Sequence, residues 1–447
     1  MSNSIASQEK RVLEILPSNN AESYGSQGKQ NVVKFEIADV PAVMLGESVR
    51  LNFEIDSYAT ASSKTRPTID QDFNIDKCNG FQSIIQQVLL SSRRYSTGTN
   101  LESITSYSRL SSSMKSALFS PAQHLSNSSQ QDGSVGKGMT CKDEPPTKVE
   151  ILQVSDPTLQ AQRKKLVKKT PVSLQLNSAL LNSNLSLDQI GGLHLQIFLK
   201  ENVGSVFWGS DVNTATSSYE ISNVSLTVPV IYKSQDQIAM ERQNPQPAIS
   251  FLSWVNIYNV IQNEGQNSLN NRVSLKGLVS VIQNSLPVSH ISNSEYNEDT
   301  LFAFGGIEEM SMSRMGVRSP REWTFNVKRE RDTSNLNNIA ENVNYSQIVD
   351  EYLSAYRNAR DVYFSGLIGQ NLRGFAGEHD GVMGCGTSYS PQSGAGIVNQ
   401  GNITMNLITK AQDPDKTDLS STQFGVHNFY LARSDLLINP SQGIQVA

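Results

Sequence analysis

The sequence predicts an all-β protein of two tandem domains, and three observations support this prediction. Of the 447 residues, only 18% are charged and 37% are apolar, and Ser, Asn, Gln and Thr fill the difference, which is typical of strands joined by long polar loops. Several segments alternate apolar and polar residues with a period of two, which indicates strands with one buried face. A polar stretch with two prolines, residues 233–248, divides the chain nearly in half.

The first domain opens with two strands that we do not expect to form a hairpin. Apolar residues alternate through 32–37 and again through 49–55. The connector between them, residues 38–48, has eleven residues, whereas hairpin loops have about two to five. Residues 1–30 are polar apart from a small apolar patch at 12–16, and we expect them to form a flexible N-terminal arm.

One helix is predicted among the remaining strands of the first domain. Thr99 and Glu102 fit a capping box, and apolar residues at helical spacing follow, so the sequence predicts a helix over 99–118. Residues 120–147 are rich in glycine, proline and serine and are expected to form a long surface loop. Further strands are predicted in the second part of 81–92 and over 148–154, 171–176, 193–199 and 219–232.

The second domain is predicted to repeat this arrangement. We place the first domain at 31–235, a linker at 236–248 and the second domain at 249–447. A single helix is predicted over 345–367, because one helical stripe collects the apolar residues Ile348, Tyr352, Tyr356, Ala359 and Tyr363. Strands are predicted over 249–261, 272–282, 322–327, 402–409 and 425–440, with a glycine-rich loop over 374–396.

Four stretches of the first half resemble a known family when taken together and in order. They are residues 32–55, 81–110, 170–199 and 218–231. They resemble the double jelly-roll major capsid proteins of icosahedral double-stranded DNA viruses, the lineage of adenovirus hexon and tailless bacteriophages. The style is most similar to that of polinton-like viruses and virophages. In the second of these stretches, Leu101-Glu102 followed by Ile104 resembles the sequence that opens the family's helix.

The resemblance implies two eight-stranded jelly rolls, each with a helix on a strand connection. Three chains would form a pseudo-hexagonal homotrimer, the capsomer, which tiles the icosahedral shell of a virion. The implied partners are the chain itself, neighbouring capsomers, and penton and minor or cement proteins. The N-terminal arm, residues 1–30, would run along the inner face, and its contact with an internal membrane is left open. The alternative is a β-sandwich spike or minor capsid protein that binds a receptor or carbohydrate.

A jelly roll explains the long connector of the opening strands. Its first two strands lie in opposite sheets, so the chain must cross the end of the sandwich. We therefore expect Val33, Phe35 and Ile37 to face Leu51, Phe53 and Ile55 across the core without sharing hydrogen bonds. The apolar residues Val43, Met44 and Leu45 are expected to cap the core during the crossing. In the strand that closes this domain, Ile221 is predicted to face away from Val224 and Leu226.

Net charge and cysteines exclude some functions. The net charge of −5 provides no global basic field, so we expect no sequence-specific binding of nucleic acid. Cys78, Cys141 and Cys385 are odd in number and widely spaced, which favours synthesis in a reducing host interior over a disulfide framework. Residues 1–20 lack the apolar core of a signal peptide, and no run approaches the roughly 18 apolar residues of a membrane span.

No motif predicts an enzyme, a metal site or a cofactor. The five histidines are scattered without metal-ligand spacing, and no nucleophile elbow or phosphate-binding loop is found. The candidates considered are all better interpreted as solvated or structural. They are the Glu378-His379-Asp380 turn, residues 136–142, the Glu308-Glu309 pair, and the basic cluster of Arg163, Lys164, Lys165, Lys168 and Lys169.

Two basic segments could nevertheless serve contacts between proteins. The cluster at 163–169 is interpreted as a solvated loop, with contact to an acidic neighbour or to the genome side of a shell as the alternative. Around Trp323, Phe325 and Val327 the alternation predicts a buried strand face. The flanking charges are then expected to form salt bridges between subunits rather than to bind nucleic acid. They are Arg318, Arg321, Lys328, Arg329 and Arg331.

Overall fold

The computed structural model describes most of the first half of the chain and the strands of the second. It describes residues 10–111 without 69–70, 72, 76–79 and 95–99, and residues 169–243 without 209–210. In the second half it describes residues 248–261, 265–273, 277–287, 307–314, 317–318, 325–326, 386–388, 401–409, 424–439 and 443–446. The fold of these residues is all-β, and the predicted fold class is confirmed.

Short strands alternate with turns in the first half. Its strands are β1 (Lys10–Ile15), β2 (Tyr24–Gly25), β3 (Val32–Ile37), β4 (Ala42–Met44), β5 (Arg50–Tyr58), β6 (Asn74–Ile75), β7 (Ile85–Ser92), β8 (Asn100–Ile104), β9 (Thr170–Leu174), β10 (Leu185–Ser186), β11 (Leu193–Leu199), β12 (Phe207–Trp208) and β13 (Ser218–Tyr232). Its helices are α1 (Leu187–Ile190), three 3-10 turns (Gly46–Ser48, Gly80–Ile84 and Val203–Ser205) and residues 107–111.

The second half follows helix α2 (Gln235–Gln243). Its described strands are β14 (Ala248–Ile261), β15 (Gly265–Val273), β16 (Gly277–Pro287), β17 (Ile307–Arg314), β18 (Val317–Arg318), β19 (Phe325–Asn326), β20 (Gly386–Ser388), β21 (Gly401–Thr409), β22 (Phe424–Asn439) and β23 (Gly443–Val446). Helix α2 therefore occupies most of the predicted linker. The predicted helix at 345–367, the strand at 148–154 and the loops at 120–147 and 374–396 lie outside the described residues, apart from β20.

Three sheets and one short strand pair connect these elements. The first sheet has the order β10-β4-β13-β5-β9, with β1 and β2 also paired to β13. The second sheet has the order β20-β16-β22-β14-β8-β7-β11-β3, with β23 on β22. The third has the order β15-β21-β17-β18, with β19 on β17, and β12 pairs with β6. The second sheet thus contains strands of both halves, which meet where β8 lies parallel to β14.

The two opening strands lie in different sheets, as predicted. β3 pairs with β11 in the second sheet, whereas β5 pairs with β13 and β9 in the first. Their inward side chains belong to one hydrophobic core and are at most 2% exposed. These side chains are Val33, Phe35, Ile37, Leu51, Phe53 and Ile55. The long connector is therefore a crossing between the two layers of a sandwich.

Only part of the connector caps the core. Met44 is fully buried, but Val43 and Leu45 remain half-buried, so the predicted capping role of these two residues is wrong. The reason is that residues 42–44 form β4 and join the first sheet, where Val43 is the partner of Ile231 and Met44 that of Val230. Alternation along a strand then turns Val43 and Met44 to opposite faces.

Residues 10–30, the described part of the predicted flexible arm, belong to the folded structure. Residues 10–15 form β1, which pairs along β13 from Lys10 with Ile231 to Ile15 with Leu226. Leu13 and Ile15 pack against the core, and this burial gives β1 a reason to stay on the sheet. Of the apolar patch at 12–16, Leu13 and Ile15 thus face the core, whereas Val12 and Leu16 remain exposed.

The helix predicted at 99–118 starts later in the structure than the sequence indicates. Residues 100–104 form β8, which pairs with β7, and helical structure starts only at residue 107. Glu102 is 1% exposed and belongs to a strand, so it is not part of a capping box. Pairing with β7 and burial override the local helix signal; residues 112–118 lie outside the described residues.

The predicted orientation of Ile221 is wrong, because β13 contains a bulge. Ile221 and Leu226 are both buried in the core, because the register with β5 shifts between Ser222 and Ser225. Asn223 lies in this shift with φ of 50°, a left-handed conformation that asparagine tolerates better than most residues. Its side-chain Nδ2 donates a hydrogen bond of 2.6 Å to Glu54 Oε2.

Replacing Asn223 tests whether the bulge needs a residue that accepts positive φ. We expect Asn223→Val to reduce the free energy of unfolding by about 1–3 kcal/mol, because a β-branched residue is strained in this conformation. Asn223→Gly is the matched control, since it also loses the bond to Glu54 but keeps the conformation. Thermal unfolding of both variants measures the difference, and equal destabilisation would contradict the role of the bulge.

Candidate functional site

Few of the sequence candidates lie among the described residues. Lys169 forms an ion pair of 2.8 Å with Glu54 on an exposed part of the first sheet, which fits the interpretation of a solvated surface. Phe325 belongs to β19, and the Glu308-Glu309 pair belongs to β17. Arg318, one of the basic residues expected at subunit contacts, belongs to β18. The remaining candidates, including residues 136–142, 163–168 and 378–380 and all three cysteines, lie outside the described residues.

The described residues reveal a polar group that the sequence candidates did not include. We call it the junction cluster, because it lies where β8 of the first half meets β14 of the second. Its members are Glu102, Ser178, Trp254, Asn256 and His427. No three His, Cys, Asp or Glu residues converge as a metal site in the part of the chain that the structure describes.

Glu102 is the centre of the junction cluster. Its Oε1 accepts hydrogen bonds from the backbone N–H of Trp254 at 2.8 Å and of Ala179 at 3.1 Å. Its Oε2 accepts from the Ser178 hydroxyl and, at 3.4 Å, from the backbone N–H of Leu180. Burial raises the pKa of this carboxyl to about 7, although the four donors oppose the change.

Regular alternation with Ile104 places Glu102 inward, and an irregularity in β8 allows the adjacent Leu101 to be buried as well. Leu101 and Glu102 are both buried although they are adjacent, and the register with β7 shifts between Leu90 and Ser91. Leu90 opposes Glu102 and Ser91 opposes Asn100, so Leu101 is the extra residue of a bulge. The only sequence signal for this site is a glutamate between apolar residues of an alternating segment.

Asn256 and His427 extend the cluster along β14 and β22. The Asn256 Nδ2 donates to the backbone oxygen of Thr105 at 2.9 Å and lies 3.0 Å from its hydroxyl. The same nitrogen is 3.3 Å from His427 Nδ1, so this ring nitrogen acts as an acceptor. Burial and the positive charge of Arg109 lower the pKa of His427 to about 3, which keeps the imidazole neutral.

A second feature lies on the outward face of the first sheet. The side chain of Lys233 is 4% exposed and forms ion pairs with Asp188 at 2.8 Å and Glu241 at 2.6 Å. Its Nζ also donates to the Ser186 hydroxyl at 2.5 Å. Because Asp188 belongs to α1 and Glu241 to α2, the buried ammonium fastens α2 beside the end of the sheet.

A groove of about 450 Å³ lies between α2 and this sheet, and we call it the outer groove. Its apolar lining includes Val43, Leu45, Ile231, Tyr232 and Met240. Pairing continues this surface to β1, where Lys10 opposes Ile231 and Val12 opposes Pro229. Three large apolar side chains are exposed in this region or along β1: Val12 at 61%, Leu16 at 69% and Met240 at 66%.

The chemistry of both features is structural. The junction cluster contains a carboxyl, a hydroxyl, an amide and a neutral imidazole. The carboxyl of Glu102 and the amide of Asn256 bond across the contact between the two halves, whereas the Ser178 hydroxyl and the His427 imidazole bond within their own halves. The outer groove is bounded by apolar side chains and an ion-paired lysine. Among the described helices, none is long and apolar enough to cross a membrane.

Substitution of Asn256 tests whether the junction cluster holds the halves together. We expect Asn256→Ala to increase hydrogen exchange of residues 100–105, because the bonds to Thr105 are lost. Asn259→Ala is the matched control, since Asn259 accepts its bond from Asn428 within the second half. Hydrogen exchange followed by mass spectrometry distinguishes the two variants. Unchanged protection of residues 100–105 in Asn256→Ala would argue against the assigned role.

Sequence comparisons identify no relatives of the chain. No protein-family model matches the sequence, and none of the curated proteins matches it.

Solved structures do resemble the fold over nearly its whole length. PBCV-1 VP54, fitted into a cryo-EM reconstruction of the virophage Sputnik, is 11% identical, with a TM-score of 0.50 over 98% of this chain and 97% of that one. A quasi-atomic model of the PBCV-1 virus capsid is 10% identical, with a TM-score of 0.52 over 98% and 97%. The mavirus major capsid protein is 9% identical, with a TM-score of 0.48 over 98% and 90%.

The first two similarities establish the fold, because they cover both chains almost completely at TM-scores of 0.50 and 0.52. The opposite sheets of β3 and β5, predicted from the alternation and from the family resemblance, agree with it. The chain has the double jelly-roll fold of viral major capsid proteins.

Proposed function

We propose that this chain is a major capsid protein whose homotrimers form pseudo-hexagonal capsomers that tile an icosahedral virus shell. The observation that carries the proposal is the fold similarity to the PBCV-1 capsid, which spans 98% of this chain and 97% of that one. A match over both halves suits a protein that works as a complete double jelly roll. The role is structural, with assembly in place of catalysis.

The surface along β1, at the side of the first sheet, is the part of the described surface that best suits contact with a second copy. Among the described strands, β1 pairs only with β13, so no described strand occupies its other edge, and a second chain could pair there. Val12 and Leu16 are exposed beside this edge, and exposed apolar patches favour association between proteins. A protein that assembles from identical copies has use for such a surface.

The other partners follow from the same proposal. Neighbouring capsomers, penton proteins and minor or cement proteins would contact the trimer in a virion. The alternative of a receptor- or carbohydrate-binding spike is favoured by no observation in the described part of the chain. Tyr258, at 46% exposed, is the one aromatic among the exposed large hydrophobic residues there, and it lies on strand β14 rather than on a loop.

The oligomeric state tests the proposed function. We expect the purified chain to have three times the 49.1 kDa mass of one copy, as measured by light scattering after size-exclusion chromatography. Negative-stain images of the same fractions should have a pseudo-hexagonal outline. A stable monomer at micromolar concentration would count against the proposal, since the contacts of a capsomer bury several thousand Å².

Substitution of Val12 tests the proposed contact surface. We expect Val12→Asp to shift the chain from trimer to monomer, because a carboxylate at an apolar contact must be desolvated without a partner. The unfolding midpoint of the monomer should change little, since Val12 is exposed. Glu14→Gln on the same strand is the matched control and should assemble normally. Normal assembly of Val12→Asp would place the contact elsewhere.

A further inference from the structure

The seam between the two halves has very little backbone pairing. β8 and β14 are parallel and share a single residue pair, Ser103 with Val255. On its other side, β14 pairs with β22 along all 14 of its residues. The core nevertheless continues across the seam, because Trp254 is buried in the same cluster as Phe35 and Leu101. Something besides the ladder must therefore align the two halves.

Glu102 provides a large part of this alignment. It lies on β8, yet one carboxylate oxygen accepts the backbone N–H of Trp254 on β14. The same side chain accepts from Ser178, Ala179 and Leu180, in the turn at residues 178–181. Three segments that are distant in sequence are thus joined through one side chain, and each bond depends on the carboxyl staying in place.

No positively charged side chain among the described residues contributes to the pKa shift of the Glu102 carboxyl. Burial and hydrogen bonds determine its protonation, with burial dominant. Arg109, in the helical turn after β8, acts on His427 of β22, which burial keeps neutral above about pH 3. The other ionisable side chains on the neighbouring elements are Tyr107, which donates to Gln82, and Tyr258 on β14. Strand β7 and the turn at 178–181 contribute none.

We propose that Glu102 is a proton-dependent latch between the two jelly rolls, which holds β14 and the turn at 178–181 against β8 when it carries a proton. The ionised carboxylate is less stable in the closed seam than in water, because the four hydrogen bonds do not fully offset its burial. Water can enter most easily by separating β8 from β14, where one residue pair closes the sheet. Loss of the proton therefore loosens the seam. The latch operates within a single chain, whatever the chain assembles into.

The direction of the pH dependence follows from the raised pKa. The pKa of Glu102 rises from 4.5 to about 7 in the closed seam, so the closed state binds the proton more tightly than the open state. The stabilisation is complete below pH 4.5 and is lost as the pH rises through 7. The opening equilibrium should increase about tenfold per pH unit in this window, about 300-fold in total, and should level off above it.

Hydrogen exchange of the full-length chain between pH 5 and pH 8 tests the latch. Exchange rates are divided by those of an unstructured chain at the same pH, which removes the intrinsic effect of pH. In the wild-type chain we expect protection of residues 100–105 and 250–256 to fall up to pH 7 and then to level off. In Glu102→Gln the protection should not depend on pH, because the amide resembles the protonated carboxyl and does not titrate. Identical pH profiles for the two chains would overturn the proposal.

Two further variants make the test independent of how well Glu102→Gln folds. Ser178→Ala removes a donor that favours the ionised carboxylate, so protection should continue to fall to a higher pH than in the wild type. Glu220→Gln is the matched control in the first sheet. There burial raises the pKa of Glu220, but the bond from Tyr58 and the charges of Lys64 and Lys29 lower it overall. The latch would be refuted if Glu220→Gln lost the pH dependence of protection seen in the wild type. It would also be refuted if protection in Ser178→Ala levelled off at the same pH as in the wild type.

Discussion

Burial of one face per strand is the constraint on which this fold depends. In β3 and in residues 50–55 of β5, one side carries partly or fully exposed side chains that are mostly polar, and the other side buries apolar ones that are at most 2% exposed. A single layer cannot cover such faces, so two sheets must stack with their apolar sides together. The crossing from β3 to β5 and the position of β13 at the centre of the first sheet both follow from this requirement.

Irregular positions adapt the strands to that constraint. In β13 the bulge at Asn223 allows Ile221 and Leu226 to share one core, although strict alternation would separate them. In β8 the extra residue Leu101 is buried beside Glu102, which faces inward together with Ile104. Bulges of this kind change which face a side chain occupies without ending the strand. Both bulges serve packing, and the one in β8 lies directly beside a buried carboxyl.

Buried polar groups occur in this protein where separate segments meet. Glu102 joins β8, β14 and the turn at 178–181, while Lys233 joins α1, α2 and the end of the first sheet. A buried charged or polar group requires its hydrogen bonds, so it accepts only one arrangement of its neighbours. Apolar contacts alone would tolerate small shifts of one half against the other. The junction cluster therefore adds alignment to a seam that backbone pairing hardly closes.

The sequence by itself determined the all-β class and the separation of β3 from β5, because side-chain period and connector length are local properties of the chain. The resemblance of four stretches in the first half added the double jelly roll.

Only the tertiary structure decided the segments whose local pattern was misleading. Residues 10–15 joined the sheet and residues 100–104 became a strand because β13 and β7 offered pairing and burial. Glu102 became the centre of the junction cluster because its four donors come from Trp254 and residues 178–180. Local patterns contain no information about partners so distant in sequence.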